Sequence, residues 1–167
     1  MPMQIRPARA TDAEAIAAIV VECDRTFVDF APAGWRPPSY ERELEQARDA
    51  FAQPDRWTAV AEADGQPTGY ATFIAASATR APVDDPELAH LGRLFVRPAS
   101  WGAGVATALH DAAVAEAAAR GFSRMRLFTP ASHARARRFY EREGWRAVAE
   151  LPESPIGLPL IEYRCGL

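Results

Sequence analysis

The sequence predicts an α/β fold of the α+β kind, a mixed sheet with helices packed on it. Three observations carry this expectation. Apolar patterning alternates between strand and helix periods in the order β-α-α-β-β-β-α-β-α-β-β. Asp64-Gly65, between two short apolar runs, marks a hairpin and therefore antiparallel pairing. A strand ending at Pro98 passes through Gly102 and Gly104 directly into a long helix.

Residues 3–6 form a short strand closed by Pro7. Thr11 is expected to cap a helix over 12–24, with Glu14 completing a capping box and Ile16, Ile19 and Val20 on one face. A turn-rich loop follows, yet it carries Phe27, Phe30 and Trp35. Ser39 caps a second helix over 40–51, striped by Leu44, Ala47 and Phe51. Strands over 57–63 and 69–76 flank the Asp64-Gly65 turn, and a loop leads to a strand over 88–96.

The long helix covers 105–120, with Val105, Leu109, Ala112, Ala113 and Ala117 sharing a face and Gly121 as its stop. A strand over 124–128 precedes a helix capped by Ser132 and stopped by Gly144. The last strands are 146–150 and 160–165, joined by a loop that three prolines stiffen. No repeat, low-complexity tract or linker divides the chain, so residues 1–167 are expected to form a single domain.

Composition removes several function classes. A net charge of -3 lacks the basic footprint of a nucleic-acid binder. All 19 basic residues are Arg, which removes Schiff-base lysine chemistry and the lysine of a phosphate-binding P-loop. Cys23 and Cys165 show neither disulfide-framework nor metal-ligand spacing, so no metal is expected and both read as buried thiols. The N-terminus has no signal-peptide apolar run, and no segment approaches the roughly 20 apolar residues that cross a bilayer. The expectation is a soluble cytoplasmic protein.

The segment from Leu94 to Leu109 carries the chemistry. A helix start presents unpaired N–H groups and partial positive charge, and glycines let phosphates approach the backbone. The spacing leaves two readings: a tight turn, or a pyrophosphate site from Gly102 to Thr107. It is not a dinucleotide fingerprint, because no third glycine follows.

At Trp101-Gly102-Ala103-Gly104-Val105-Ala106 the chain resembles the GCN5-related N-acetyltransferases, whose phosphate loop reads Gln/Arg-x-x-Gly-x-Gly/Ala after a strand ending in Val-x-Pro. Trp101 stands where the family has Gln or Arg. A second motif agrees: Ala136, Phe139, Tyr140, Glu141, Gly144 and Trp145 match the family's next helix, with His133 in place of Asn. The resemblance spans nearly the whole chain and implies a splayed mixed sheet of six to seven strands with about four helices.

It also implies an acetyl-CoA-dependent enzyme acting on a small-molecule amine by direct attack. The backbone of Leu94, Phe95 and Val96 would pair with the pantetheine arm, and an N–H there would polarise the thioester carbonyl. Trp101, Gly102, Ala103, Gly104, Val105, Ala106, Thr107, His133 and Phe139 would hold the cofactor, with Arg137 or Arg138 at its 3′-phosphate. On spacing alone Tyr140 reads as a core aromatic; the motif makes it the acid that protonates the departing thiolate. His90 would accept the amine's proton, with Glu87 in reserve. Phe27, Phe30 and Trp35 would wall the acceptor. A protein acetyltransferase and a non-catalytic CoA-binding module are the alternatives, and a homodimer is open.

Overall fold

A computed structural model describes residues 2–167. Seven strands and four α-helices follow the expected order: β1 (Gln4–Pro7), α1 (Ala13–Asp24), α2 (Tyr40–Phe51), β2 (Trp57–Ala63), β3 (Gln66–Ala75), β4 (Leu88–Val96), α3 (Val105–Ala119), β5 (Arg124–Pro130), α4 (Ala134–Arg142), β6 (Arg146–Leu151) and β7 (Leu160–Gly166). They form one mixed sheet in the order β1-β2-β3-β4-β5-β7-β6.

Neighbouring residues of the central strands face opposite sides, and both sides are covered. Ala61, Ala71 and Phe73 pack with Leu109 and Ala113 of α3 and Tyr140 of α4. Val60 and Tyr70 pack with Ile16, Ile19 and Val20 of α1 and Ala47 of α2. Burial on two faces explains why β3 is almost continuously buried rather than alternating. Asp64 and Gly65 both take positive φ, 52° and 75°, as a two-residue hairpin turn requires. Gly69 is needed for a different reason: a Cβ there would stand 2.8 Å from the Phe95 carbonyl oxygen.

Two irregularities position the site. Only β4 and β5 run parallel, and their pairing stops after Leu88↔Arg124, Ala89↔Met125 and His90↔Arg126. Beyond His90 the two strands separate. On the other edge of β4, Thr72 faces Arg93 while Phe73 faces Leu91, which leaves Gly92 as a bulge.

Two helix starts differ from expectation. The Thr11 capping box does not form; a short 3-10 turn precedes α1, and Asp12 accepts from Arg9 N at 2.7 Å and from both Arg6 terminal nitrogens at 2.9 Å. An arginine from β1 thus outcompetes the local cap. Ser132 does not cap α4 either: His133 holds that position, and the Ser132 hydroxyl turns toward the Phe30 carbonyl at 3.4 Å. Cys23 is buried, whereas Cys165 is only half-buried. Among the described residues, no helix is long and apolar enough to cross a membrane.

Candidate active site

Hydrogen-bond register decides which backbone groups of β4 are free. Arg97 N donates to Thr68 O at 2.8 Å, directly opposite it in the β3–β4 ladder. Alternation in an antiparallel pair then turns Phe95 and Arg93 toward β3, and Val96 and Leu94 away from it. Leu94 and Val96 therefore aim their amides into the gap left by β5. The Val96 carbonyl is already occupied, accepting from Trp101 Nε1 at 2.8 Å and from Cys23 Sγ at 3.1 Å. Strand-like pairing of a ligand along Leu94–Val96 is thus reduced to both groups of Leu94 and the N–H of Val96.

The gap opens into a cleft of about 590 Å³ that reaches the start of α3 and one face of α4. Gly102 and Gly104 stand in the left-handed region at φ 81° and 80°, with open space where a Cβ would sit. Gly104 is the N-cap of α3, no side chain caps it, and the first turn carries no acidic residue. The N–H groups of Val105, Ala106 and Thr107 have no protein partner among the described residues. At α2, by contrast, Ser39 accepts from Arg42 N, and Glu41 and Glu43 lie in the first turn. One helix start is satisfied by the protein and the other is left open, with the chemistry of an anion site.

Tyr140 lines this cleft and is 8% exposed. Burial raises its hydroxyl well above the usual tyrosine range, so it remains protonated. Among the described residues nothing accepts from that hydroxyl. A protonated, unpartnered donor beside the gap can deliver a proton to an anion formed there.

Other expected residues divide. Trp101, Gly102, Gly104, Val105, Ala106, Thr107, His133 and Phe139 line the cleft with Leu94, Phe95 and Val96. Ala103 does not. Nor does Arg137, which donates to Tyr163 Oη at 3.0 Å and to the Ala131 carbonyl at 2.9 Å. Arg135, Arg138 and Arg142 line the cleft in its place, and the Arg135 guanidinium lies 4.1 Å over the Trp101 ring. Helical spacing explains the difference, since 135, 138 and 142 share a face that 137 does not.

The expected aromatic wall also divides. Phe27 lines the cleft, but Phe30 and Trp35 border neither cavity. Phe30 stacks on His133 with ring centroids 4.6 Å apart, and Trp35 Nε1 donates to the Ile156 carbonyl at 2.8 Å. Phe30 thus ties the segment after α1 to the start of α4, and Trp35 ties it to the loop before β7. Burial holds the His133 imidazole down at about 4, so it stays neutral.

A second cavity of about 510 Å³ meets the cleft at Gly92, Arg93 and Phe128, which line both. His90 faces this second cavity. Its Nδ1 accepts from Arg126 Nε at 3.2 Å, and burial first, then the charges of Arg126 and Arg56, push it down to about 3. The expectation of a histidine titrating near neutrality is not met. Glu87 is exposed and lines neither cavity.

Glu43, in the acidic first turn of α2, is only 3% exposed and is bonded to Arg93 at 2.5 Å. Its position four residues before Ala47 on the same stripe was the available signal. Asp24 is buried beside this pair; burial first, then Glu43, push its carboxyl up to about 7, while Arg93 acts in the opposite sense. Elsewhere His110, Asp111 and Glu143 come together. Trp145 Nε1 donates to His110 Nε2 at 2.9 Å, so the ring proton sits on Nδ1 and no lone pair is left for an ion.

The sequence profile of the Acetyltransferase (GNAT) family matches residues 20–145. An uncharacterized N-acetyltransferase of Mycobacterium tuberculosis is 32% identical over 142 residues, covering 81% of this chain and 84% of that protein. Among solved structures, PaiA N-acetyltransferase from Thermoplasma acidophilum, in complex with coenzyme A, superposes with TM-score 0.76 at 17% identity over 100% of both chains. YncA from Salmonella typhimurium, solved with its cofactor acetyl-CoA, gives TM-score 0.73 at 22% identity over 100% of this chain and 95% of that one. Likeness at these identities speaks to fold.

Proposed function

The chain belongs to the Acetyltransferase (GNAT) family and is an acyl-CoA-dependent acetyltransferase; from that premise we propose that it moves the acetyl group of acetyl-CoA onto the primary amine of a small molecule. The observation that carries this reading is one cleft that holds three things. These are the outward amides of Leu94 and Val96, the uncapped turn before α3, and the unpartnered Tyr140 hydroxyl.

Acetyl-CoA would supply an activated thioester. The Val105, Ala106 and Thr107 amides, with Arg135 and Arg138, offer donors and positive charge for its phosphates. The Leu94 N–H would polarise a carbonyl in the gap, as a single-donor oxyanion site. Tyr140 gives its proton to the sulfur that departs. Trp101 does not close the cleft, because its indole is tied back to Val96 O and covered by Arg135.

The amine enters from the second cavity and attacks across the junction at Gly92. With His90 held neutral and one nitrogen engaged, the amine arrives uncharged or releases its proton to water. Leu151, Glu153, Ser154 and Pro155 line one side of that cavity, which favours a small acceptor over an extended peptide.

Two assays test this reading. Acetyl-CoA is expected to raise the melting temperature by mass action, and an amine panel is expected to release free thiol. No shift at millimolar acetyl-CoA contradicts the cofactor assignment, and a shift without turnover on any amine reduces the protein to a binder.

A further inference from the structure

The second cavity has an uneven charge distribution on its floor. Glu43 and Arg93 close on each other. Arg126, behind His90, is committed to His90 Nδ1, Thr79 Oγ1 and the Ala81 carbonyl. Arg56 differs. Its Nε donates to Gln53 Oε1 at 2.8 Å, and Nη1 makes only a long contact of 3.4 Å to Thr72 Oγ1. No carboxylate among the described residues pairs with it, and Nη2 has no protein partner. Burial first, then the charge of Arg93, lowers its affinity for its own proton. Arg80, Asp49 and Glu153 line the same cavity but are exposed, so water screens them.

The position of Arg56 sets what can bind. A Cβ on Gly92 would stand 3.6 Å from Arg56 Nη1, so the guanidinium sits against the bulge where the two cavities meet. Leu94, whose N–H faces the gap, is two residues along β4, about 7 Å away at strand rise. An anion held on Arg56 therefore lies within a few bonds of the reaction point. The planar fork matches a carboxylate in two-point contact.

We propose that the acceptor is an amino acid in the chemical sense, an amine bearing a carboxylate a few bonds away, and that Arg56 holds the carboxylate. This rests on the amine-acetyltransferase reading above and narrows its substrate class. Arg56 acts here as a specificity residue that touches substrate. It takes no part in proton transfer.

The test compares a panel of L-amino acids, each against its own carboxamide, by thiol release with acetyl-CoA. Wild-type protein is expected to favour the carboxylate in kcat/KM by about ten- to a hundredfold, the value of a charged hydrogen bond. This preference runs against intrinsic reactivity, because the amide's amine is less basic and more often neutral. Arg56→Gln is expected to abolish the preference through KM, while the acetyl-CoA thermal shift stays as in wild type. Equal use of acid and amide by the wild type overturns the proposal without any variant being needed. So does a preference that survives in Arg56→Gln. Absence of the acetyl-CoA shift in wild type instead defeats the acetyltransferase reading, and this proposal falls with it.

Discussion

Arg126 Nε donates to His90 Nδ1 across 3.2 Å, behind the wall of the second cavity. A guanidinium donor fixes the neutral tautomer with its proton on Nε2. Burial first, then the charges of Arg126 and Arg56, hold the imidazole at about 3. The kcat/KM–pH profile of His90→Gln, whose amide oxygen can still accept from Arg126, is therefore expected to keep the wild-type shape. Loss of an ionisation between pH 6 and 7 would restore His90 as base.

The same shift has a stability consequence. The unfolded histidine takes up a proton near its ordinary 6.5, whereas the folded one resists until about 3. Stability is therefore full above 6.5 and is lost as pH falls through that window. Denaturant melts at pH 7 and pH 4.5 are expected to show a smaller acid loss in His90→Gln than in wild type.

Asp24 works in the opposite sense. Its folded value of about 7 lies above the ordinary 3.8, so the folded state binds the extra proton between them. Stability falls as pH rises from about 4 to 7, by at most about 1.4 kcal/mol per unit. Asp24→Asn removes the cost, so the variant should melt higher than wild type at pH 8 and converge with it near pH 4. A lower melting temperature at pH 8 would mean that the carboxylate is stabilised by Arg93 more than burial opposes it.

Tyr140→Phe is expected to lower kcat by about 10²-fold or more, the usual weight of a general acid. Acetyl-CoA affinity should change little. Because the hydroxyl has no protein partner, its removal should leave the melting temperature near wild type. A large fall in stability with no fall in kcat would make Tyr140 a core aromatic and nothing more.

Arg138→Ala and Arg135→Ala are each expected to weaken acetyl-CoA binding by about 1.5–3 kcal/mol, with a shallower salt dependence of the dissociation constant. Arg137→Ala is expected to leave that affinity near wild type, because its guanidinium serves Tyr163 and Ala131. Its readout is instead a lower melting temperature. Calorimetric titration of the three variants separates these outcomes.

Elements with strong local punctuation were legible in the sequence. α2 and β2 fall on the expected residues because Ser39 caps one and the Asp64-Gly65 turn closes the other. β5 runs past its expected end at 128 to Pro130, because β7 supplies partners that propensity cannot show. The cleft was legible because its glycine turn, outward strand and Tyr140 lie in two compact motifs. The second cavity was not: Glu43, Arg56 and Arg93 come from α2, the approach to β2 and β4. Only the fold makes them neighbours, and no local spacing announces a group that will lack a partner.

The central claim is that free amides at the start of α3 hold a diphosphate beside an outward-facing strand. Backbone amide NMR, recorded while titrating coenzyme A and, separately, pantetheine, tests it most directly. Coenzyme A is expected to shift Val105, Ala106 and Thr107 together with Leu94 and Val96, and pantetheine, which has no diphosphate, only the last two. Coenzyme A leaving the three α3 amides unmoved would contradict the account.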